Sequence, residues 1–157
     1  MHKLDPSVKT VWALSIITRT IVYSIIIFIF EFFIIKNNIE GWPVPAPWIS
    51  IGVFALGLLL TFIFPAIKYK YWYFDVREDE LFLHRGVITR ITTTAPFNRI
   101  QHIDVEQGVI ERMLDLGKLV IYTAGTRGAD LLLPGLPIGY AEALRDRLKN
   151  NTAEDEV

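Results

Sequence analysis

Acid–base or metal chemistry in the carboxyl-terminal part of this chain would have to draw on His84 and His102, with Asp104, Glu106 and Glu111 as nearby carboxylates. A metal site needs several ligands converging at short spacing. Each histidine instead stands alone among strand-like residues, and the carboxylates read as charges on a solvated edge. Gly125-x-x-Gly128 follows a strand-like run, but it lacks the Lys-Ser/Thr of a phosphate loop and no helix follows it. The chain has no cysteine, which removes disulfides, thiol catalysis and thiolate metal sites together. No nucleophile with its base and no cofactor motif is present. The expectation is a protein that is not an enzyme and takes no cofactor and no metal.

The most motif-like polar set is Arg99, Gln101, Gln107, Glu111 and Arg112. Two readings of it stand side by side. In one, the arginines bridge carboxylates such as Asp104, Glu111 or Asp115, and the glutamines satisfy backbone groups at a strand end. In the other, the set is a contact surface for a partner subunit or a headgroup.

Ahead of these groups lie two long apolar runs. Residues 11–35 are densest at Ile25-Ile26-Ile27-Phe28-Ile29-Phe30, and residues 48–67 centre on Leu58-Leu59-Leu60 with no charge inside. Each is long enough to cross a hydrocarbon core of roughly 30 Å as a helix, which takes about 20 residues. A cleaved signal peptide is the competing reading of the first run, but the run is too long and Ile34-Ile35-Lys36-Asn37 offers no small-x-small site.

Lys3 and Lys9 precede the first run, Lys68 and Lys70 follow the second, and the loop between holds only Lys36 and Glu40. Positive residues gather on the cytoplasmic side, so both termini are expected inside a multi-pass cell-membrane protein. Trp42 and Trp48 at one interface, with Tyr69, Tyr71 and Trp72 at the other, form the expected aromatic belts. Arg19 and Glu31 lie within the first span, where a charge costs about 2.5–3.5 kcal/mol on insertion scales. Either they snorkel to opposite faces, or they make polar contacts inside a bundle or assembly. They stand about three turns apart, too far to pair on one helix.

Residues 1–68 are thus read as the membrane region, residues 69–150 as a cytoplasmic domain and residues 151–157 as a disordered acidic tail. The formal net charge is -1 and the domain mixes signs evenly, so no basic stripe points to nucleic acid. Residues 71–76 are rich in strand formers, and residues 77–80 are a charged turn. Residues 81–84, 87–94 and 99–105 continue as strands, with Arg85-Gly86 and Pro96 as punctuation. Val109, Ile110, Met113 and Leu114 fall at helical spacing, with Gly117 as the expected stop. Residues 119–123 and 131–133 return to strand, the first turning through Gly125 and Gly128 and the second closed by Pro134-Gly135. Residues 138–149 form a helix with Ala141, Leu144 and Leu148 on one apolar stripe. Short strands capped by one amphipathic helix give a small β-barrel or sandwich with a helix over its open end.

The run Pro96-x-x-Arg99-Ile100-Gln101-His102-Ile103-Asp104-Val105-x-Gln107 carries a resemblance, together with Glu111-Arg112, Leu116-Gly117 and Tyr122-Thr123-Ala124-Gly125. With Pro134-Gly135-Leu136 and Ala141-Glu142-x-Leu144-Arg145, it resembles the bacterial pleckstrin-homology-like (PH-like, bPH2) membrane proteins of the YdbS type. The resemblance covers nearly the whole chain. It implies an α+β fold: two transmembrane helices followed by a bent, seven-stranded antiparallel barrel or sandwich with a C-terminal helix. It also implies a membrane-associated assembly or scaffold module, linked to envelope stress and to resistance against antimicrobial peptides. Phosphoinositide-binding PH domains use basic residues around the first hairpin, whereas the turn here, Arg77-Glu78-Asp79-Glu80, is acidic and would repel an anionic headgroup.

Two function classes follow. The first is a membrane-tethered scaffold that assembles with itself, as a homo-oligomer, or with a larger sister PH-like membrane protein. The second is a lipid-sensing module whose Lys68, Lys70, Arg85 and Arg90 face the membrane and touch anionic headgroups.

Overall fold

The computed structural model describes residues 2–36, 47–124 and 131–154. The chain divides into two compact units: Trp12–Ala66, and Met1–Val11 together with Ile67–Val157. The loop bearing Trp42 and the turn expected at Gly125 and Gly128 lie outside the described residues.

The first unit is built from helices α1 (Val8–Lys36) and α2 (Trp48–Lys70). Both are long and apolar enough to cross a membrane, and few of their side chains are buried. Ile29 is 60% exposed and Phe62 79%, the reverse of a core helix in a soluble protein. Polar groups turn inward instead. Glu31 is 1% exposed, and its carboxylate accepts the backbone N–H groups of Ile49 at 3.0 Å and Ser50 at 3.4 Å. These are orphan donors in the first turn of α2, which hydrocarbon would leave unsatisfied. Glu31 is therefore a contact between helices rather than a snorkelling charge. Arg19 is exposed, with no ion pair among the described residues. Pro65 is buried within α2.

The second unit begins with β1 (His2–Lys3), which pairs antiparallel with β2 (Tyr73–Val76). β3 (Glu80–Arg85) and β4 (Ile91–Pro96) complete a four-stranded sheet in the order β1-β2-β3-β4. A 3-10 turn, Phe97–Arg99, leads into β5 (Ile100–Glu106). A short helix α3 (Val109–Met113) follows, then β6 (Leu116–Thr123) and β7 (Leu131–Pro137) in a second sheet ordered β5-β6-β7. Helix α4 (Ile138–Glu154) packs against β5, β6 and β7. The seven antiparallel strands and closing helix are those of a PH-like α+β domain. Its core joins Phe74, Leu81 and Leu83 of the first sheet to Leu119, Ile121 and Leu133 of the second, none more than 1% exposed. Ala141, Leu144 and Leu148 of α4 are buried as the stripe requires, each leucine contributing about 1.5–3 kcal/mol.

Five local expectations are corrected. The seventh strand comes from the amino terminus, so residues 2–11 belong with the domain rather than with the membrane region. Leu4 and Val8 are buried there at 2% and 1% exposure, and the Tyr69 hydroxyl donates to the Leu4 carbonyl at 2.9 Å. Residues 87–90, expected as strand, form the β3–β4 turn, because Arg85 already pairs with Ile91. Gly86 sits at φ 111°, and a Cβ there would strike the Thr89 carbonyl, so only glycine closes this turn. Helix α3 ends at Met113 rather than running to Gly117, and the chain turns away at Asp115, whose φ of 52° is a left-handed conformation that short polar side chains tolerate. Strand β7 runs on through Pro134-Gly135, because both residues face Lys118 alone across a break in register. The bulge accommodates a proline that has no N–H to give. At the other end, α4 takes in residues 151–154 of the tail expected to lack structure, since helix propagation adds a hydrogen bond for each further residue.

Candidate functional site

Where α2 ends, cationic and aromatic side chains interleave. Lys68 lies over the Trp72 ring at 4.8 Å, and Lys9 over the Tyr69 ring at 5.0 Å. The Tyr71 ring takes two cations, Lys70 at 6.0 Å and Arg90 at 5.9 Å. Each such contact is worth about 0.5–1 kcal/mol at an exposed site. Three of the four residues expected to face the membrane, Lys68, Lys70 and Arg90, thus meet at the rings of Tyr71 and Trp72, just after α2. Arg85 is half-buried at the base of the same hairpin that carries Arg90.

The set Arg99, Gln101, Gln107, Glu111 and Arg112 is not brought together. Arg99 and Gln101 lie at the start of β5, Gln101 being the extra residue of a bulge between Ile100 and His102. Gln107, Glu111 and Arg112 lie beyond its other end, about 20 Å away along an extended strand. Gln107 Nε2 donates to the Leu116 carbonyl at 2.8 Å, and Glu111 Oε2 accepts the Gly108 N–H at 2.7 Å, closing the start of α3. Those two are structural. Arg99, Gln101 and Arg112 are exposed, and neither arginine has an ion pair among the described residues. The bridges expected to Asp104, Glu111 or Asp115 are not formed.

The histidines also find local partners. His84 stacks on Tyr73 at 4.5 Å, and its Nδ1 lies 2.9 Å from Thr92 Oγ1. His102 Nε2 is 2.7 Å from Asp104 Oδ1, both well exposed. Lys118 bonds Glu106 at 2.8 Å, and that hydrogen bond raises the lysine above its ordinary pKa of 10.5, partly offset by desolvation. Among the described residues no three metal-ligating side chains cluster. The first hairpin, with Arg77, Glu78, Asp79 and Glu80, lines an open groove with Pro96 and Asn98. Its charge is mainly acidic, unlike a phosphate site.

Sheet edges are the remaining candidates. β4 is hydrogen-bonded on one side only among the described strands, and Ile91, Thr92 and Thr94 are exposed. Residues 11–152 match the Bacterial PH domain family. The chain belongs to this family. Over 159 aligned residues it is 28% identical to UPF0699 transmembrane protein YdbS of Bacillus subtilis (strain 168), covering 99% of this chain and 96% of that one. UPF0699 transmembrane protein YdbT of the same strain is 26% identical over 106 residues, 66% of this chain but only 22% of that longer protein. No solved structure matches. Family membership agrees with the two sheets and closing helix, and the relatives' transmembrane names agree with α1 and α2. This is a membrane-associated PH-like protein.

Two features escaped the sequence reading. One is the amino-terminal strand, whose available signal was Asp5-Pro6-Ser7: Asp5 Oδ1 accepts the Ser7 N–H at 2.8 Å, opening α1 late enough to free residues 2–4. The other is the tip of the β3–β4 turn, where Ile88 is 98% exposed.

Proposed function

We propose that this protein is a non-enzymatic, membrane-anchored assembly module that adds a strand from a neighbouring PH-like chain to its β4 edge. The carrying observation is the composition of that edge. Ile91-Thr92-Thr93-Thr94-Ala95-Pro96 has no charge, whereas natural edges are normally blunted by lysine or inward charges. The other edges are protected differently. β1 is two residues long, β5 carries His102, Asp104 and Glu106, and β7 accepts the Asp5 N–H at the Gly135 carbonyl, 2.9 Å away. An open edge supplies a row of N–H and C=O groups for β-augmentation. The first partner is a second copy of this chain, and the second a larger sister protein.

Proline substitution tests this reading. Along an antiparallel strand successive N–H groups point alternately to the two sides. One of Thr93→Pro and Thr94→Pro should therefore remove only an outward donor, keeping the fold while dissociating oligomers in mild detergent. Charge reversal at Lys68 and Lys70 should leave assembly intact. If both folded proline variants assemble like the parent, the edge is not the interface.

The second reading, lipid-headgroup sensing, is favoured by the cations at the end of α2. It predicts vesicle binding that weakens steeply with salt. The proposed orientation places both termini and the domain in the cytoplasm. The pairing of β1 with β2 supports a common side for the amino terminus and the domain, and the flanking lysines support the inner one. Impermeant labelling of cysteines introduced singly at positions 44 and 150 in intact cells tests it. The cellular setting proposed is envelope stress or antimicrobial-peptide resistance, read as altered peptide susceptibility in a deletion strain.

A further inference from the structure

We infer that the β3–β4 turn is an apolar wedge that inserts into the anionic surface of the membrane α2 leaves, with Ile88 as its tip. This goes beyond the assembly reading and stands without it. Ile88 is 98% exposed, further out than the other large apolar side chains described. A single exposed apolar side chain is common on protein surfaces; what sets Ile88 apart is its place between Arg85 and Arg90, with Arg90 against the ring that follows α2.

The turn is built rather than loose. Gly86 at φ 111° closes it against the Thr89 carbonyl, Arg85 pairs with Ile91 at its base, and Thr92 is tied to His84. The tip is held out by backbone geometry, so insertion requires little further ordering.

The occupant follows from charge and connectivity. Arg85 and Arg90 flank the tip, and the turn, residues 86–90, has no acidic residue. The Arg90 guanidinium lies 5.9 Å from the Tyr71 ring, and Tyr71 directly follows the last residue of α2. Wherever α2 leaves the bilayer, Arg90 is therefore close by, and Ile88 is two residues further, at most about 7 Å of chain. Cations that pair with lipid phosphates around an apolar tip are the arrangement by which a peripheral segment enters the headgroup layer.

The absence of cysteine makes the test direct. The full chain carrying Ile88→Cys, labelled with a nitroxide, is reconstituted into phosphatidylcholine vesicles with and without phosphatidylglycerol. Accessibility to oxygen is compared with accessibility to a water-soluble nickel chelate. The expected result is an oxygen-favoured, lipid-like environment at position 88 that strengthens with phosphatidylglycerol. The same label at Met113→Cys, 81% exposed and away from the β4 edge, should remain aqueous, which controls for the label's own affinity for lipid. Adding Arg85→Gln and Arg90→Gln should lower the ratio of inserted to aqueous label, by roughly fivefold per arginine removed from an anionic surface. Nickel access at position 88 equal to that at position 113 in both vesicle types would overturn the inference. So would shielding that persists in detergent and rises with protein concentration, since the occupant would then be another protein.

Discussion

Gly135 lies directly against Val8, leaving no room for a side chain: a Cβ at Gly135 would fall on the valine's Cβ and Cγ2. Gly135 also holds a left-handed φ of 62° inside β7. Gly135→Ala therefore combines an unfavourable backbone conformation with overpacking, and should destabilise the domain by roughly 2–4 kcal/mol. Adding Val8→Gly, which removes both of those carbons, should recover the packing part only. Thermal melts of the two variants in detergent check this. No recovery would mean that the amino-terminal segment does not rest on β7.

Leu144 is 5% exposed on the face of α4 that covers the sheets. Leu144→Ala should cost about 2–5 kcal/mol, enough to bring a small domain close to its stability limit. An unaltered melting curve would show that α4 does not close the core.

The Glu31 carboxylate serves the first turn of α2. Glu31→Ala leaves two backbone donors without an acceptor and should cost about 1–3 kcal/mol of helix association, while Glu31→Gln should retain part of it. Graded denaturation in mixed micelles measures the difference. Equal behaviour of parent and alanine variants would remove the cap from the account.

The pair of Lys118 and Glu106 has a sign that can be worked out. The lysine's pKa is raised above 10.5 in the folded protein, chiefly by its hydrogen bond to Glu106. Its contribution is therefore complete below the unfolded lysine pKa and is lost as pH rises through the higher folded value. Both side chains are partly exposed, so the amount is small, about 0.2–1 kcal/mol. Lys118→Met should melt below the parent at pH 7 and converge with it in strong alkali. A gap that persists there would assign the effect to packing.

Much of the fold was legible because it rests on period and length. The spans show in uninterrupted apolar residues, and α4 in the spacing of Ala141, Leu144 and Leu148. β1 was not legible, because two residues carry no periodicity and their partner, Phe74 or Tyr73, lies far along the chain. Residues 87–90 look strand-like by composition, but Gly86 and the Arg85–Ile91 register turn them into a loop. Pro134-Gly135 reads as a terminator until the bulge opposite Lys118 is seen. The polar set around Arg99 and Arg112 is contiguous in sequence, yet an extended β5 separates its ends. Lys68, Lys70, Arg85 and Arg90 were grouped from the sequence, and three of them meet at the rings of Tyr71 and Trp72 while Arg85 stays at the base of the hairpin.

The assembly reading is tested most directly by cysteine cross-linking along β4 in the reconstituted full chain. Single cysteines at Ile91, Thr92, Thr93 and Thr94 are oxidised in vesicles, with Met113→Cys, 81% exposed on α3, as the reference. Strand addition at this edge predicts covalent dimers at β4 positions, strongest at one register, and little at position 113. Monomers throughout β4, or dimers formed equally at position 113, would contradict it.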